Sequence, residues 1–82
     1  MSDVERRDAL RYHMLVALDA ATGPIDFRET IPGTDMFDLR ATASWLVENM
    51  YAVWSGGGVV ITDRGRDVLA SVQNADRRSP DQ

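Results

Sequence analysis

Three consecutive glycines, Gly56 to Gly58, separate two short apolar segments and constrain the fold of this chain more than any other feature. Glycine adopts positive φ angles without steric cost, and a tight turn between antiparallel strands needs such angles. Residues 51–55 and 59–61 contain β-branched and aromatic side chains, which are typical of strands. Thr62 or Asp63 follows immediately and can cap the first turn of a helix. The segment therefore predicts a strand, a tight turn, a second strand and a helix.

Helical spacing of apolar side chains predicts three longer helices, over residues 3–21, 36–49 and 63–74. Residues 24–35 are ambiguous, because their apolar positions fit either a short second helix or a short strand. The chain thus predicts an α+β fold in which helices surround one hairpin.

Side-chain alternation along a strand decides which residues of the hairpin reach the core. We expect Val53 and Ile61 to face inward. Trp54 follows Val53, so one of these two neighbours must face outward.

The size of the chain, 82 residues, allows one small domain and nothing more. We assign that domain to residues 1–75. Residues 76–82 are polar and contain a proline, and we expect them to form a disordered tail.

A set of residues in the second half of the chain resembles a known family. The pattern resembles the winged helix-turn-helix regulators of the MarR and PadR type. The matching residues are Leu46, Tyr51, Val53, Ile61, Thr62, Gly65, Arg66 and Leu69. In those proteins a recognition helix runs into a strand, a wing and an exit of the form Leu-Thr-x-x-Gly-Arg-x-x-Leu. The resemblance covers roughly a third of the chain and implies the order helix, helix, helix, hairpin, helix.

The end of the recognition helix departs from this family pattern. Met50 stands where such families usually have the glycine that ends the helix. We expect Asn49 to adopt the left-handed conformation instead, because asparagine tolerates it better than most residues.

Net charge and residue types exclude several classes of protein. The charge of −4 repels a polyanion, so any binding to DNA needs a local basic patch. The chain has no cysteine, which excludes disulfides and cysteine-based zinc sites. No apolar segment has membrane-spanning length, and the first residues are charged where a signal peptide is apolar. We therefore expect a cytoplasmic protein without a membrane partner.

Catalytic chemistry finds little support in the sequence. His13 is the only histidine and has no serine or aspartate partner at a recognisable spacing. The glycine run lacks the Lys-Ser/Thr that follows a phosphate-binding loop. We expect no catalytic residue, no metal site and no cofactor.

The first functional hypothesis is a small transcriptional regulator that binds double-stranded DNA as a homodimer, as the resemblance implies. Helix 36–49 would enter the major groove, and residues 3–21 and 63–74 would form the dimer interface. The residues expected at the DNA are Arg40, Ala41, Ser44, Arg64 and Arg66. Asp38 and Glu48 share the helix with Arg40, so the expected surface has no clear positive excess.

The second hypothesis is a winged helix that binds a protein, such as a phage-encoded protein that binds a host protein. Trp45 and Trp54 lie where the family pattern has polar or basic residues, and with Met50 they are candidates for an interaction surface. The alternative is that Trp45 packs against the second helix and Trp54 covers the edge of the sheet.

Overall fold

The computed structural model describes residues 3–77, which form three α-helices, a short 3-10 turn and one β-hairpin. The elements in chain order are α1 (Asp3–Ala20), a 3-10 turn (Phe27–Glu29), α2 (Met36–Glu48), β1 (Ala52–Ser55), β2 (Gly58–Ile61) and α3 (Asp63–Arg77). The expected α+β class is confirmed, with three α-helices and a two-stranded antiparallel hairpin in the described residues.

The core forms where the apolar stripes of the helices meet the hairpin. Side chains at helical spacing on α1 and α2 are buried, and the hairpin and α3 close the cluster. Each fully buried Val, Leu, Ile or Met side chain contributes roughly 1.5–3 kcal/mol to stability. The buried apolar residues are Met14, Leu15, Leu18, Leu39, Ala43, Leu46, Ala52, Val59, Ile61 and Leu69.

The register of the hairpin decides which of its side chains are covered. Ala52 pairs with Ile61, and Val53 pairs with Val60. Directly paired residues share a face, so Ile61 and Val53 lie on opposite faces and only one can point to the core. Ile61 is buried as expected, whereas Val53 is 47% exposed, and the prediction that Val53 faces inward is wrong. Trp54 shares the face of Ala52 but is half exposed near the tip of the hairpin.

Residues 24–35 combine both of the structures that the sequence left open. Ile25 forms a single antiparallel bridge with Val59, with its N–H donating to Val59 O (3.1 Å) and its carbonyl accepting from Val59 N (2.8 Å). The backbone of Ile25 therefore lies on the edge of β2 away from β1. The expected second helix is only the 3-10 turn, because this bridge precedes it and Pro32 and Gly33 follow it closely.

The three glycines of the hairpin do different work. Gly56 and Gly57 have the positive φ angles that the turn requires (54° and 86°). Gly58 does not have a positive φ. A side chain there would meet the backbone N of Ile25 at 3.0 Å, so this glycine allows Ile25 to approach β2.

The end of α2 forms a Schellman motif, in which a left-handed residue closes the last turn of the helix. Tyr51 N donates to Leu46 O (2.8 Å), and Met50 N donates to Val47 O (3.0 Å). The left-handed residue is Met50 (φ 65°), whereas Asn49 has a φ of −94°. The expectation that Asn49 takes this conformation is wrong, because Asn49 is the C-cap and the motif places the left-handed residue one position later. The side-chain amide of Asn49 donates to the Trp45 carbonyl (2.8 Å).

Thr62 and Gly65 connect the end of α2 to the start of α3. The Thr62 hydroxyl accepts from Gly65 N (3.1 Å), as a helix cap, and donates to Met50 O (2.6 Å). A side chain at Gly65 would collide with the Tyr51 carbonyl oxygen and lie 2.8 Å from Ile61 Cγ1. Thr62 and Gly65 together therefore hold the first turn of α3 against the end of α2.

α3 continues to Arg77, a turn beyond the end that the sequence predicts. The last residues of the expected tail, 78–82, lie outside the described residues. None of the helices within residues 3–77 is both long enough and apolar enough to cross a membrane.

Candidate functional site

A cleft of about 640 Å³ lies between the first turns of α2 and the tip of the hairpin. We call it the α2–hairpin cleft. Within the described residues, its lining combines apolar and basic side chains and includes no carboxylate. The lining residues are Phe27, Arg28, Met36, Phe37, Arg40, Ser44 and Trp54.

The apolar side chains of the α2–hairpin cleft are unusually exposed. Phe37 is 77% exposed, Met36 51% and Trp54 50%. Phe37 is held at the start of α2, where its N–H donates to the capping carboxylate of Asp35 (3.0 Å). The Phe27 ring meets the Trp54 ring edge-on, with their centroids 6.2 Å apart. A ligand in this cleft would therefore cover aromatic surface that the fold itself leaves in water.

Arg40 is the basic residue of α2 and lines the α2–hairpin cleft together with Ser44, one helical turn later. Within residues 3–77, no hydrogen bond or ion pair engages its guanidinium. Asp38, the carboxylate expected to oppose it, lies 3.6 Å from the Arg6 guanidinium and borders a different depression. Arg40 and Asp38 therefore lie on different sides of α2, the first at the α2–hairpin cleft and the second facing α1.

Arg28 is fixed at the α2–hairpin cleft by a two-pronged ion pair with Asp26. Its Nε donates to both carboxylate oxygens (3.0 and 3.1 Å), and its Nη2 donates to Oδ2 (2.6 Å). The same carboxylate caps the 3-10 turn by accepting from Arg28 N (2.9 Å). These side-chain and backbone hydrogen bonds lower the pKa of Asp26 to about 2, and the pair raises the pKa of Arg28. The pair leaves the Nη1 group of Arg28 for other contacts.

The five residues predicted for DNA binding do not share one surface. Only Arg40 and Ser44 line the α2–hairpin cleft. Ala41 borders a second depression, of about 310 Å³, beside α1. Arg64 lies over the Tyr51 ring, 5.6 Å from its centroid. Arg66 forms ion pairs with Asp19 (3.4 Å) and Asp63 (3.5 Å).

The three residues predicted for protein interaction are also separated. Trp54 lines the α2–hairpin cleft, whereas Trp45 lines a groove between α1 and α3. Trp45 is half-buried there, with the Arg11 guanidinium 3.8 Å from its ring centroid and Tyr51 at 5.7 Å. Met50 is 68% exposed and lines neither depression.

Sequence reasoning missed four residues of the α2–hairpin cleft. Met36 and Phe37 stand directly after the capping Asp35, off the buried stripe that begins at Leu39, and this pattern could have identified them. Phe27 and Arg28 gave no such signal, because their position depends on how the 3-10 turn packs against the hairpin.

Within residues 3–77, no three His, Cys, Asp or Glu side chains gather as the ligands of a metal ion would. The chain matches no protein-family model, no curated protein and no solved structure.

Proposed function

We propose that this protein is a small winged-helix regulator that binds DNA through the α2–hairpin cleft. The order of elements supports the fold assignment, because a helix, a single bridge, a turn, α2, the hairpin and α3 follow one another. This order fits the winged helix that the sequence resembles, with the 3-10 turn in place of its second helix. α2 would then be the recognition helix and the hairpin the wing.

The observation that carries the proposal is the charge of the α2–hairpin cleft. A chain with a net charge of −4 needs a local basic patch to approach a polyanion. The cleft supplies one in Arg40, whose guanidinium has no carboxylate partner among residues 3–77, whereas Asp26 offsets part of the charge of Arg28 beside it. The cleft also lies where α2 and the hairpin tip can touch one ligand together.

Each basic residue would contribute differently to this binding. Arg40 is free to pair with a phosphate or a guanine edge, and Ser44 can donate a hydrogen bond beside it. Arg28 offers Nη1 to a phosphate while Asp26 holds the rest of its guanidinium. Arg66 would first have to leave Asp19 and Asp63, so we assign it a smaller share than Arg40.

The test is binding to a generic duplex at low salt, where electrostatic binding is strongest. We expect Arg40→Ala to weaken binding by about tenfold, as the loss of one good polar contact does. Arg7→Ala is the matched control, because Arg7 is exposed on α1 outside the α2–hairpin cleft and its loss changes the net charge equally. Equal losses for the two variants, or an unmodified protein that binds neither duplex nor single-stranded DNA, would contradict the proposal.

A second candidate function is binding to a protein, and the exposure of Phe37 and Trp54 favours it. Exposed aromatic residues beside an arginine are typical of interaction hot spots. The test is whether an identified partner loses its affinity for Phe37→Ser but keeps it for Val53→Thr. Val53 is an exposed apolar residue on the outer face of the hairpin, so it controls for loss of surface apolarity alone.

A further inference from the structure

We propose that the α2–hairpin cleft takes a single strand of DNA, whose bases stack on Phe37 and Trp54 while its phosphates pair with Arg40 and Arg28. This inference rests on the proposed DNA binding and adds to it a preference for unpaired nucleotides over base-paired ones. It gives the exposed aromatic surface a function that base-paired DNA does not give it.

Two exposed aromatic side chains of the cleft offer surfaces on which a base can stack. Phe37 is 77% exposed and Trp54 is 50% exposed, and both line the same cleft. Phe27 packs against the Trp54 ring in a T-shaped contact, and half of the Trp54 side chain stays exposed to a ligand. Flat aromatic surfaces of this kind bind unpaired bases by stacking, with little dependence on base identity.

Two arginines line the same cleft as these aromatic side chains. Arg40 lies one helical turn from Phe37, and Arg28 follows Phe27 directly in the chain. The cleft therefore carries cations next to rings: Arg40 has no carboxylate partner in the described part of the chain, and Arg28 offers Nη1 while Asp26 pairs with the rest of its guanidinium. A nucleotide has an anionic phosphate next to a flat base, so one ligand complements both features.

A duplex complements the cleft less well, for two reasons. Its bases are already stacked on one another, so Phe37 and Trp54 would meet backbone or groove edges and keep much of their apolar surface exposed. A duplex also carries one charge per roughly 1.7 Å of its axis, twice the density of one strand, and is repelled more strongly by a protein of charge −4.

The experiment follows the fluorescence of Trp54 in the full chain carrying Trp45→Phe, which leaves one tryptophan. A thymidine oligonucleotide of about 12 residues and a blunt duplex of the same length are titrated at low salt. We expect the single strand to quench Trp54 and to bind about tenfold more tightly than the duplex. Anisotropy of labelled oligonucleotides with the unmodified protein gives the same comparison if Trp45→Phe impairs folding.

Variants then locate the binding. Phe37→Leu keeps an apolar side chain but removes the ring, so we expect it to weaken single-strand binding by about tenfold and duplex binding much less. Val53→Thr, on the outer face of the hairpin, should leave both affinities unchanged.

The outcomes separate this inference from the function on which it rests. Tighter binding to the duplex, or single-strand binding that survives Phe37→Leu and Trp54→Leu, overturns the stacking inference and leaves DNA binding in place. Binding to neither oligonucleotide overturns both and favours the protein-binding candidate. Quenching by the single strand that is lost in Phe37→Leu supports the inference.

Discussion

Met50 occupies the left-handed position that closes the Schellman motif at the end of α2, and it does so without being glycine. A β-carbon in this conformation costs roughly 1–2 kcal/mol. Its carbonyl oxygen accepts a hydrogen bond from the Thr62 hydroxyl, which helps to hold the strained backbone in place. The left-handed conformation of Met50 is thus maintained by its contacts and not by the conformational preference of methionine.

We predict that Met50→Gly stabilises the fold. It removes the steric cost but adds roughly 0.4–1 kcal/mol of chain entropy to the unfolded state, so the net gain lies between zero and about 1.6 kcal/mol. The midpoint of thermal unfolding should rise by roughly 4–8 °C for each kcal/mol gained. Met50→Ala is the control, because it keeps the β-carbon and should give no gain. Equal stabilities of the two variants would show that the backbone at Met50 is unstrained.

At the scale of the element, the 3-10 turn depends on one carboxylate. Asp26 caps the turn and fixes Arg28, and these hydrogen bonds lower its pKa from an ordinary value of 3.8 to about 2. A carboxylate whose pKa falls on folding contributes stability above its unfolded pKa and loses that contribution as the pH drops through its folded pKa.

We therefore predict that Asp26→Asn is less stable than the unmodified protein near neutral pH, and that this difference disappears as the pH falls from about 4 to about 2. The pair is exposed, so the difference is small. Urea unfolding across this pH range measures it. Asp67→Asn removes an equal charge from an exposed residue of α3 and controls for the change in net charge. A constant difference between Asp26→Asn and the unmodified protein at every pH would contradict the assigned cause.

The elements themselves could be predicted from sequence wherever a local pattern determines them. The spacing of Leu39, Ala43 and Leu46 specifies a helix with one buried face, and Gly56 with Gly57 specifies the turn. Local alternation establishes that Val53 and Trp54 face opposite sides. It does not establish which of them faces the core, because that depends on where α1 and α2 lie.

The α2–hairpin cleft shows the same limit at the site. Arg40 and Ser44 could be predicted, since they lie on the face of α2 away from Leu39. Arg28 could not, because it reaches the cleft only through the bridge of Ile25 to β2 and the short turn that follows. Contacts between distant segments, and not local preference, bring it there.

At the scale of the whole molecule, the groove between α1 and α3 is the second apolar surface. Its apolar lining includes Leu15, Trp45, Val68 and Val72, and Val72 is 43% exposed. This is the surface through which we propose homodimer formation, because it lies on the two helices that the resemblance assigns to the interface. A dimer would present two α2–hairpin clefts to one DNA molecule, and linked sites raise the apparent affinity without any new contact.

We predict that Val72→Glu converts the dimer to a monomer, because it places a charge at an apolar interface, and that DNA affinity then falls by about tenfold or more although Arg40 is unchanged. Light scattering with and without a generic duplex measures both effects. Val53→Glu introduces the same charge on the outer face of the hairpin, so it should stay dimeric. The added negative charge in Val53→Glu can itself weaken DNA binding by repelling the polyanion. The effect of losing the dimer is therefore the loss of DNA affinity in Val72→Glu beyond the loss in Val53→Glu. An unmodified protein that scatters as a monomer at high concentration would instead mean that each cleft acts alone, and that the apolar surface around Val72 has another use.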